Sequence, residues 1–463
     1  MKYLLVGAGL YNAVIYQRLV HEFNVYPLDI TIIENRSHVG GNCYTENVDG
    51  ITVHKYGAHI FHTSDEEVWK FANRFGSFNN FVNSPIAVYF NEKTGQSETY
   101  NLPFNMNTFV RLFERELAVK RVTPNIVKEA IQCEIAAYKL SHPFDTPRNL
   151  EEQAISLVGT TLYEKLIKHY TEKQWGRPCT ELDPSIIKRL PLRFTYDNNY
   201  FNDVHQGIPE EGYTKWIENM FEGHDIHFDE NFLSDMYRHE VHGMDKFDQV
   251  FYSGDVSKLL NAVMNYDKLV AGMVHEDGLD DFWLDWRSLQ FVEKEYPTEN
   301  WQGNAVVNYT SGEVGYTRSI EHKFFNREKM DDGKTIVTFE YPVKYRLGDE
   351  QYYPLASEKE KYWKILGYLP KKIVPTGRLG LYEYMDMDDV IAAALSDTRI
   401  QVEQVESGSG NFCVKFTDYS DNFQQRIINN VTDKNAAVMK LLEDIRGQVK
   451  DIVGVDKIDK KVD

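Results

Sequence analysis

The spacing of apolar residues changes several times along the chain. Residues 3–6 (YLLV) form an unbroken apolar run that stops at Gly7-Ala8-Gly9. Behind that turn Ala13, Val14, Tyr16, Leu19 and Val20 recur at helical spacing, and residues 30–33 (ITII) make a second apolar run closed by Glu34. Short, wholly apolar runs joined through a helix are the signature of buried parallel strands, so this segment predicts strand–turn–helix–strand, the start of a dinucleotide-binding unit. From 107 to 169 the period becomes helical, with segments predicted over 107–120, 124–139, 149–156 and 160–169. Residues 80–102, 190–205 and 288–345 are β-rich, with AVYF, AVVNYT and TIVTFEYPV, and predict an antiparallel sheet. Near the end, Thr432 and Asp433 can cap a helix carrying Val438, Leu441, Leu442, Ile445, Val449 and Ile452 on one face. The expected class is therefore α/β, with a Rossmann-like domain, a helical domain and an antiparallel sheet domain built from discontinuous segments.

Composition narrows the function. A chain of 463 residues with 42% hydrophobic and 26% charged residues has the profile of a folded protein, not of a disordered one. Its 51 basic against 70 acidic residues give a formal charge of −19, a bias that argues against nucleic acid as partner. An anionic ligand would have to be met by cations gathered locally against that field. Cys43, Cys133, Cys179 and Cys413 contain no CxxC pair, which suits reduced thiols in the cytoplasm better than disulfides or zinc. No uncharged apolar run reaches the length of about 18 residues that would suggest a membrane span.

Several motifs could carry chemistry. Gly7-x-Gly9 lets a phosphate approach a helix N-terminus, and Glu34 falls where a carboxylate meets an adenosine ribose. Asn12 stands in place of the third glycine that normally lets helix and strand pack closely, which predicts slightly wider packing. Gly40-Gly41 follows at a distance typical of FAD sites, although the same pair can be a plain turn. His54, His59 and His62 lie in HKYGAHIFHT without an HExxH pattern, so a loop hinged at Gly57 that offers an imidazole to a cofactor ring is the more economical reading than a metal. YTEKQWGR (170–177), Arg189, NNYF (198–201), Arg287, Arg318 and Arg378 mix aromatics with cations. Such groups can sandwich a base and bind a diphosphate, or can equally be core and surface residues.

Taken in order, GNCYTE, HKYGAHIFHT, NSPIAVY, YNLPFNMNTF, NLEEQAISLVG, YTEKQWGR, YDNNYF, QGIP, GYTK, QGNAVVNYT, YTRSIEHK, YYP and GRLGLYEYMDM make the chain resemble the bacterial UDP-galactopyranose mutases over residues 1–255 and 285–395. The resemblance implies an isomerase that interconverts UDP-galactopyranose and UDP-galactofuranose without net redox change. FAD would be active when reduced, its N5 acting as nucleophile at the anomeric carbon. It further implies a UDP-sugar substrate, a reductant such as NAD(P)H and a homodimer. FAD would be held by Gly7, Gly9, Glu34, Gly40, Gly41, Asn42, Arg378, Asp386 and Met387. His59 would lie beside the isoalloxazine, and Arg189 and Arg318 would grip the diphosphate. Asn83, Tyr170, Thr171 and Trp175 would bind the uridine end, Tyr200, Tyr353 and Tyr384 the diphosphate region, with Arg287 close by.

The same resemblance divides the chain into an FAD-binding domain (1–80, 206–260 and 355–395), a helical domain (103–188) and a substrate sheet domain (81–102, 189–205 and 285–354). Residues 255–284 are an insertion atypical of the family, and 396–463 extend beyond it. Departures at Asn12, His169, Leu381 and Met385 leave room for another sugar nucleotide, such as UDP-arabinose, UDP-N-acetylgalactosamine or dTDP-fucose. A net flavin oxidoreductase, and a sugar-nucleotide-binding protein that has lost its flavin through Asn12, are the competing readings.

Overall fold

The computed structural model describes residues 1–116, 121–187, 192–233, 246–270, 283–326, 333–346 and 348–402. The helix expected within 432–452 and the arginine at 189 lie outside these residues.

Five strands run parallel in the spatial order Ile373–Pro375, Gln249–Tyr252, Tyr3–Val6, Ile30–Ile33 and Ile226–His227. Tyr3–Val6 is central and buried on both faces, which is why it reads as a continuous apolar run. Helix Leu10–Gln17 follows it and packs against helix Met387–Leu395 from the far end of the domain.

Asn12, in place of the third glycine, has a defined structural part. Asn12 is fully buried, and its Nδ2 donates to Val6 O (3.1 Å) and Gly7 O (2.9 Å) while its Oδ1 accepts from Thr376 Oγ1 (2.8 Å). A side-chain amide thus ties the first strand, the phosphate turn and the segment entering helix Gly377–Gly380. Every polar atom of the amide gains a partner, so its burial is tolerated.

Helix Val256–Val270 occupies the first part of the atypical insertion and is built into the core. Leu259, Ala262 and Val263 join the parallel sheet's apolar cluster, whereas Val256 and Leu260 meet Trp286, Tyr362, Ile365 and Tyr382. The three-and-four spacing gives one helix two buried faces.

The helical region contains Met106–Glu116, Pro124–Ser141, Leu150–Leu162 and Lys168–Trp175. Phe109, Phe113, Val127, Ile131, Leu150, Ile155, Val158 and Leu162 form its core. Pro124–Ser141 starts with Thr123 accepting from Ile126 N–H and a proline in its first turn, and Leu150–Leu162 starts with Asn149 accepting from Glu152 N–H.

A seven-stranded sheet runs Tyr353–Pro354, Trp286–Tyr296, Thr335–Lys344, Arg318–Glu321, Val306–Tyr309, Ile86–Asn91 and Gln96–Asn101. All its pairings are antiparallel except Val306–Tyr309 with Ile86–Asn91, which is parallel. Residues 192–204, expected to be β-rich, make only a bridge between Leu192 and Phe104. Polar side chains there take up backbone groups that a ladder would use: Arg193 donates to the carbonyls of Asn199 and Tyr200, and Asn105 Nδ2 to Asp197 O.

Candidate active site

Two glycine turns meet at the carboxyl end of the central strand. Gly7 (φ +93°) and Gly40 (φ +94°) both need the left-handed region, and a Cβ on Gly7 would lie 2.1 Å from Ser253 Oγ. Gly40 N–H donates to Ala8 O (2.9 Å), and a Cβ on Gly41 would come within 3.7 Å of Gly9 Cα. Gly9 itself faces open space, since a Cβ there would meet nothing within 4 Å, and no side chain caps the helix it begins. The first amides of Leu10–Gln17 are therefore free of any side-chain cap.

Glu34 closes the cradle. Its Oε2 accepts from Ala8 N–H (2.8 Å) and its Oε1 from Arg36 N–H (2.9 Å), so the carboxylate is fixed at the end of its strand. Asn42 accepts from Arg36 Nη2 (3.2 Å). The open face at Gly9, the uncapped helix and the oriented carboxylate fit a dinucleotide's pyrophosphate and ribose.

The aromatic and cationic residues gather around Arg318. Its Nε donates to Glu340 Oε2 at 2.6 Å, and Tyr170, Tyr352 and Tyr353 lie within its electrostatic reach, as do Tyr200 and Tyr384. Burial opposes the charge on Arg318, but Glu340 together with Tyr170, Tyr353 and Tyr352 more than offsets this and raises the guanidinium's pKa well above its usual value. Burial pushes the Tyr170 and Tyr353 hydroxyls above the usual phenol range, so both stay protonated donors.

Tyr353 connects two sides of the cluster, its ring 5.9 Å from Tyr384 in a stacked arrangement and 6.2 Å from Trp175. Thr171 is buried beside Tyr170 on helix Lys168–Trp175. Asn83 is buried too, and its carbonyl accepts from Tyr200 N–H (2.8 Å). Tyr200 and Tyr384 remain exposed, at 42% and 57%.

Arg378 lies between cradle and cluster: its Nη2 donates to Tyr352 O (2.9 Å), and its charge reaches Cys43, which follows the Gly40-Gly41 turn. The Tyr352 hydroxyl donates to Tyr56 O (2.9 Å). Asp386 precedes helix Met387–Leu395 and lies 4.0 Å from His62 Nε2. Burial raises its carboxyl above the usual range, and His62 partly opposes the shift.

His59 sits two residues beyond Gly57 (φ +96°), with Nδ1 2.9 Å from Gly57 O. A Cβ on Gly57 would lie 2.9 Å from both Glu340 Oε1 and the Tyr352 hydroxyl, so the loop requires glycine to lie against the cluster. Burial, reinforced by Arg378 and Arg318, lowers His59 to about 4, and the imidazole is neutral at pH 7.

Arg287 is differently engaged. It pairs across the ladder with Tyr353, but its Nε donates to Gln174 O (2.9 Å) and its Nη2 to Lys173 O (3.2 Å). The guanidinium caps the C-terminal carbonyls of the helix that carries Tyr170 and Trp175. One central residue escaped the sequence reading, Glu340, while Tyr352 was noted within YYP without a role. Glu340 is 1% exposed within TIVTFEYPV, and a lone carboxylate in an otherwise apolar strand was the available signal.

The chain is similar to known proteins over most of its length. Residues 5–75 match the NAD(P)-binding Rossmann-like domain, and residues 165–384 match the UDP-galactopyranose mutase domain. The chain is 35% identical over 401 residues to a Klebsiella pneumoniae protein named "Probable UDP-galactopyranose mutase", covering 85% of this chain and 92% of that one. It is 32% identical over 409 residues to the dTDP-fucopyranose mutase of Escherichia coli, covering 87% and 98%. A crystal structure of a reduced UDP-galactopyranose mutase shares the fold, with a TM-score of 0.60 at 14% identity over 85% of this chain and 92% of that one. With its glycine cradle and arginine-centred tyrosine cluster joined in one chain, and with likeness of this extent, the protein belongs to the UDP-galactopyranose mutase family of isomerases.

Proposed function

We propose that the protein interconverts UDP-galactopyranose and UDP-galactofuranose with no net redox change, holding FAD that works in its reduced state. The observation that carries this reading is the Arg318–Glu340 pair, ringed by tyrosines and linked through Tyr352 and Arg378 to the glycine cradle. Reduced FAD, when bound, supplies an electron-rich N5 as nucleophile toward the anomeric carbon. Gly7, Gly9, Glu34, Gly40, Gly41 and Asn42 would hold its pyrophosphate and ribose, with Arg378, Asp386 and Met387 toward the flavin end.

The protein's own groups do the rest. Arg318 offers a permanent charge to the diphosphate as negative charge grows on it, and Arg189 would supply a second. Trp175 and Tyr170 give aromatic faces for the uracil, with Thr171 and Asn83 as polar partners, while Tyr200, Tyr353 and Tyr384 orient the phosphates through hydroxyl donors. Neutral His59 brings a hydrogen-bonding group beside the reacting centre without a competing positive charge. A reductant such as NAD(P)H would maintain the working state, and a homodimer is the expected assembly.

The test is chromatographic. The FAD-loaded protein, reduced with dithionite, should convert UDP-galactofuranose to UDP-galactopyranose, and the oxidised protein should not. No conversion of any member of a UDP-sugar panel including UDP-arabinose and UDP-N-acetylgalactosamine would overturn the reading. A second reading, action on dTDP-fucopyranose, draws on the E. coli relative matched over nearly its whole length. Competition between the two nucleotide sugars in the same assay separates them.

A further inference from the structure

Lys173 projects from the last turn of helix Lys168–Trp175 into a ring of backbone oxygens. Its Nζ donates to Tyr309 O (2.9 Å), Ser311 O (2.9 Å), Val314 O (3.2 Å) and Tyr316 O (3.0 Å). An ammonium has three protons, so four carbonyls at these distances share them, much as carbonyl oxygens replace the hydration shell of a monovalent cation. All four carbonyls belong to one connection, the loop that leaves strand Val306–Tyr309 and returns as strand Arg318–Glu321. Tyr316, the last of them, is two residues before Arg318. Across the loop, the Tyr309 and Tyr316 rings meet edge to face at 4.6 Å.

One cation therefore fastens the helix that carries Tyr170, Thr171 and Trp175 to the loop that delivers Arg318. Arg287 holds the same helix end from another strand, through the carbonyls of Gln174 and of Lys173 itself. Burial lowers the amine to about 8, with Glu313 opposing the shift, which leaves most of it protonated at pH 7.

We propose that Lys173 is a positioning residue: its ammonium acts as a built-in monovalent cation that folds the 309–316 loop around itself and so fixes the distance between the nucleotide-facing helix and Arg318. This rests on the proposed function for the identity of the ligand but not for the geometry. Removing the ammonium leaves four carbonyls converging on an empty seat, a site shaped for ammonium or potassium.

The test uses Lys173→Ala in the full-length, FAD-loaded protein, with FAD content and melting temperature checked first. UDP affinity by calorimetry should fall about tenfold, the KM of the reduced enzyme should rise by a similar factor, and kcat should change less. Ammonium or potassium chloride should restore much of the affinity, and lithium chloride at equal ionic strength should not. Unchanged UDP affinity, or a loss that no cation repairs selectively, would overturn the proposal. If the wild-type protein binds UDP and the variant loses that affinity in this cation-repairable way, yet the wild type converts no sugar, the proposed function fails while the positioning role stands.

Should the variant not fold, reductive methylation of the native wild-type protein followed by peptide mass mapping decides the matter. Lys173 should resist modification that readily reaches the half-exposed Lys215, and equal labelling of the two would refute the cage.

Discussion

Arg318 and Glu340 are direct partners across antiparallel strands, and the guanidinium Nε donates to the buried carboxylate at 2.6 Å. Glu340 thereby sets the direction in which Arg318 extends into the tyrosine cluster. Its second oxygen, Oε1, is buried with no hydrogen-bond partner among the described residues and lies against Gly57. A carboxylate engaged on one side only is held there by the charge of its single partner.

Replacing Glu340 with Gln should keep the shape and remove that hold. Turnover with UDP-galactofuranose should fall about ten- to a hundredfold with FAD retained, as steady-state kinetics on the reduced enzyme would read. Arg318→Ala should be worse for the fold, because it strands a buried charge at a cost of about 3–5 kcal/mol. Adding Glu340→Gln to Arg318→Ala should recover part of that loss in denaturant melts.

Three imidazoles make stability sensitive to acid. Burial lowers His322 to about 3 and His59 to about 4, and burial together with His322 and His59 holds His54 well below the usual range. Their folded pKa values lie below the unfolded value of about 6.5, so the unfolded chain binds more protons in that interval. Stability from these groups is complete above pH 6.5 and is lost as pH falls toward 4 and below. Melting temperatures measured from pH 7 to pH 4 should drop, and His322→Gln should reduce the slope by about one proton.

Asn12 links strand, turn and helix through three hydrogen bonds that a glycine cannot make. Asn12→Gly restores the usual dinucleotide pattern, yet it should destabilise the protein by about 2–3 kcal/mol by leaving buried partners unpaired. Calorimetric melting and the rate of flavin release on dilution are the measurements. A variant that melts higher and binds flavin more tightly would contradict this role.

Residues 397–401 are tied to the first strand and the first helix. The Tyr11 hydroxyl donates to Asp397 Oδ2 (3.0 Å), Arg399 pairs with the same buried carboxylate (2.7 Å), Arg18 Nη1 donates to Asp397 O (2.7 Å), and Tyr3 donates to Gln401 O (2.7 Å). A chain ending after Val402 should therefore melt higher than one ending after Ser396. The shorter chain leaves Tyr11, on helix Leu10–Gln17, without its carboxylate, and equal melting temperatures would show the tether to be idle.

Some of this was legible in the residues alone. YLLV and ITII read as buried parallel strands because both faces of each are covered, and Gly7 between them takes a turn that other residues resist. The helices Pro124–Ser141 and Leu150–Leu162 announced themselves through apolar positions three and four apart, a spacing set by neighbours along the chain. Residues 192–204 defeated the β reading because the side chains of Arg193 and Asn105 took up their backbone carbonyls.

The sequence by itself determined the two glycine turns, the ribose acid, the helical segments and the aromatic–cation inventory, since each depends on neighbours a few residues apart. Tertiary structure alone decided which arginine enters the tyrosine cluster. Arg318 and Arg287 look alike in one dimension, but strand register set Arg318 against a buried carboxylate in the tyrosine cluster and turned Arg287 to a helix end. It likewise brought Lys173 to carbonyls more than a hundred positions away, because electrostatic partners buried together are chosen by proximity in space, which no local pattern encodes.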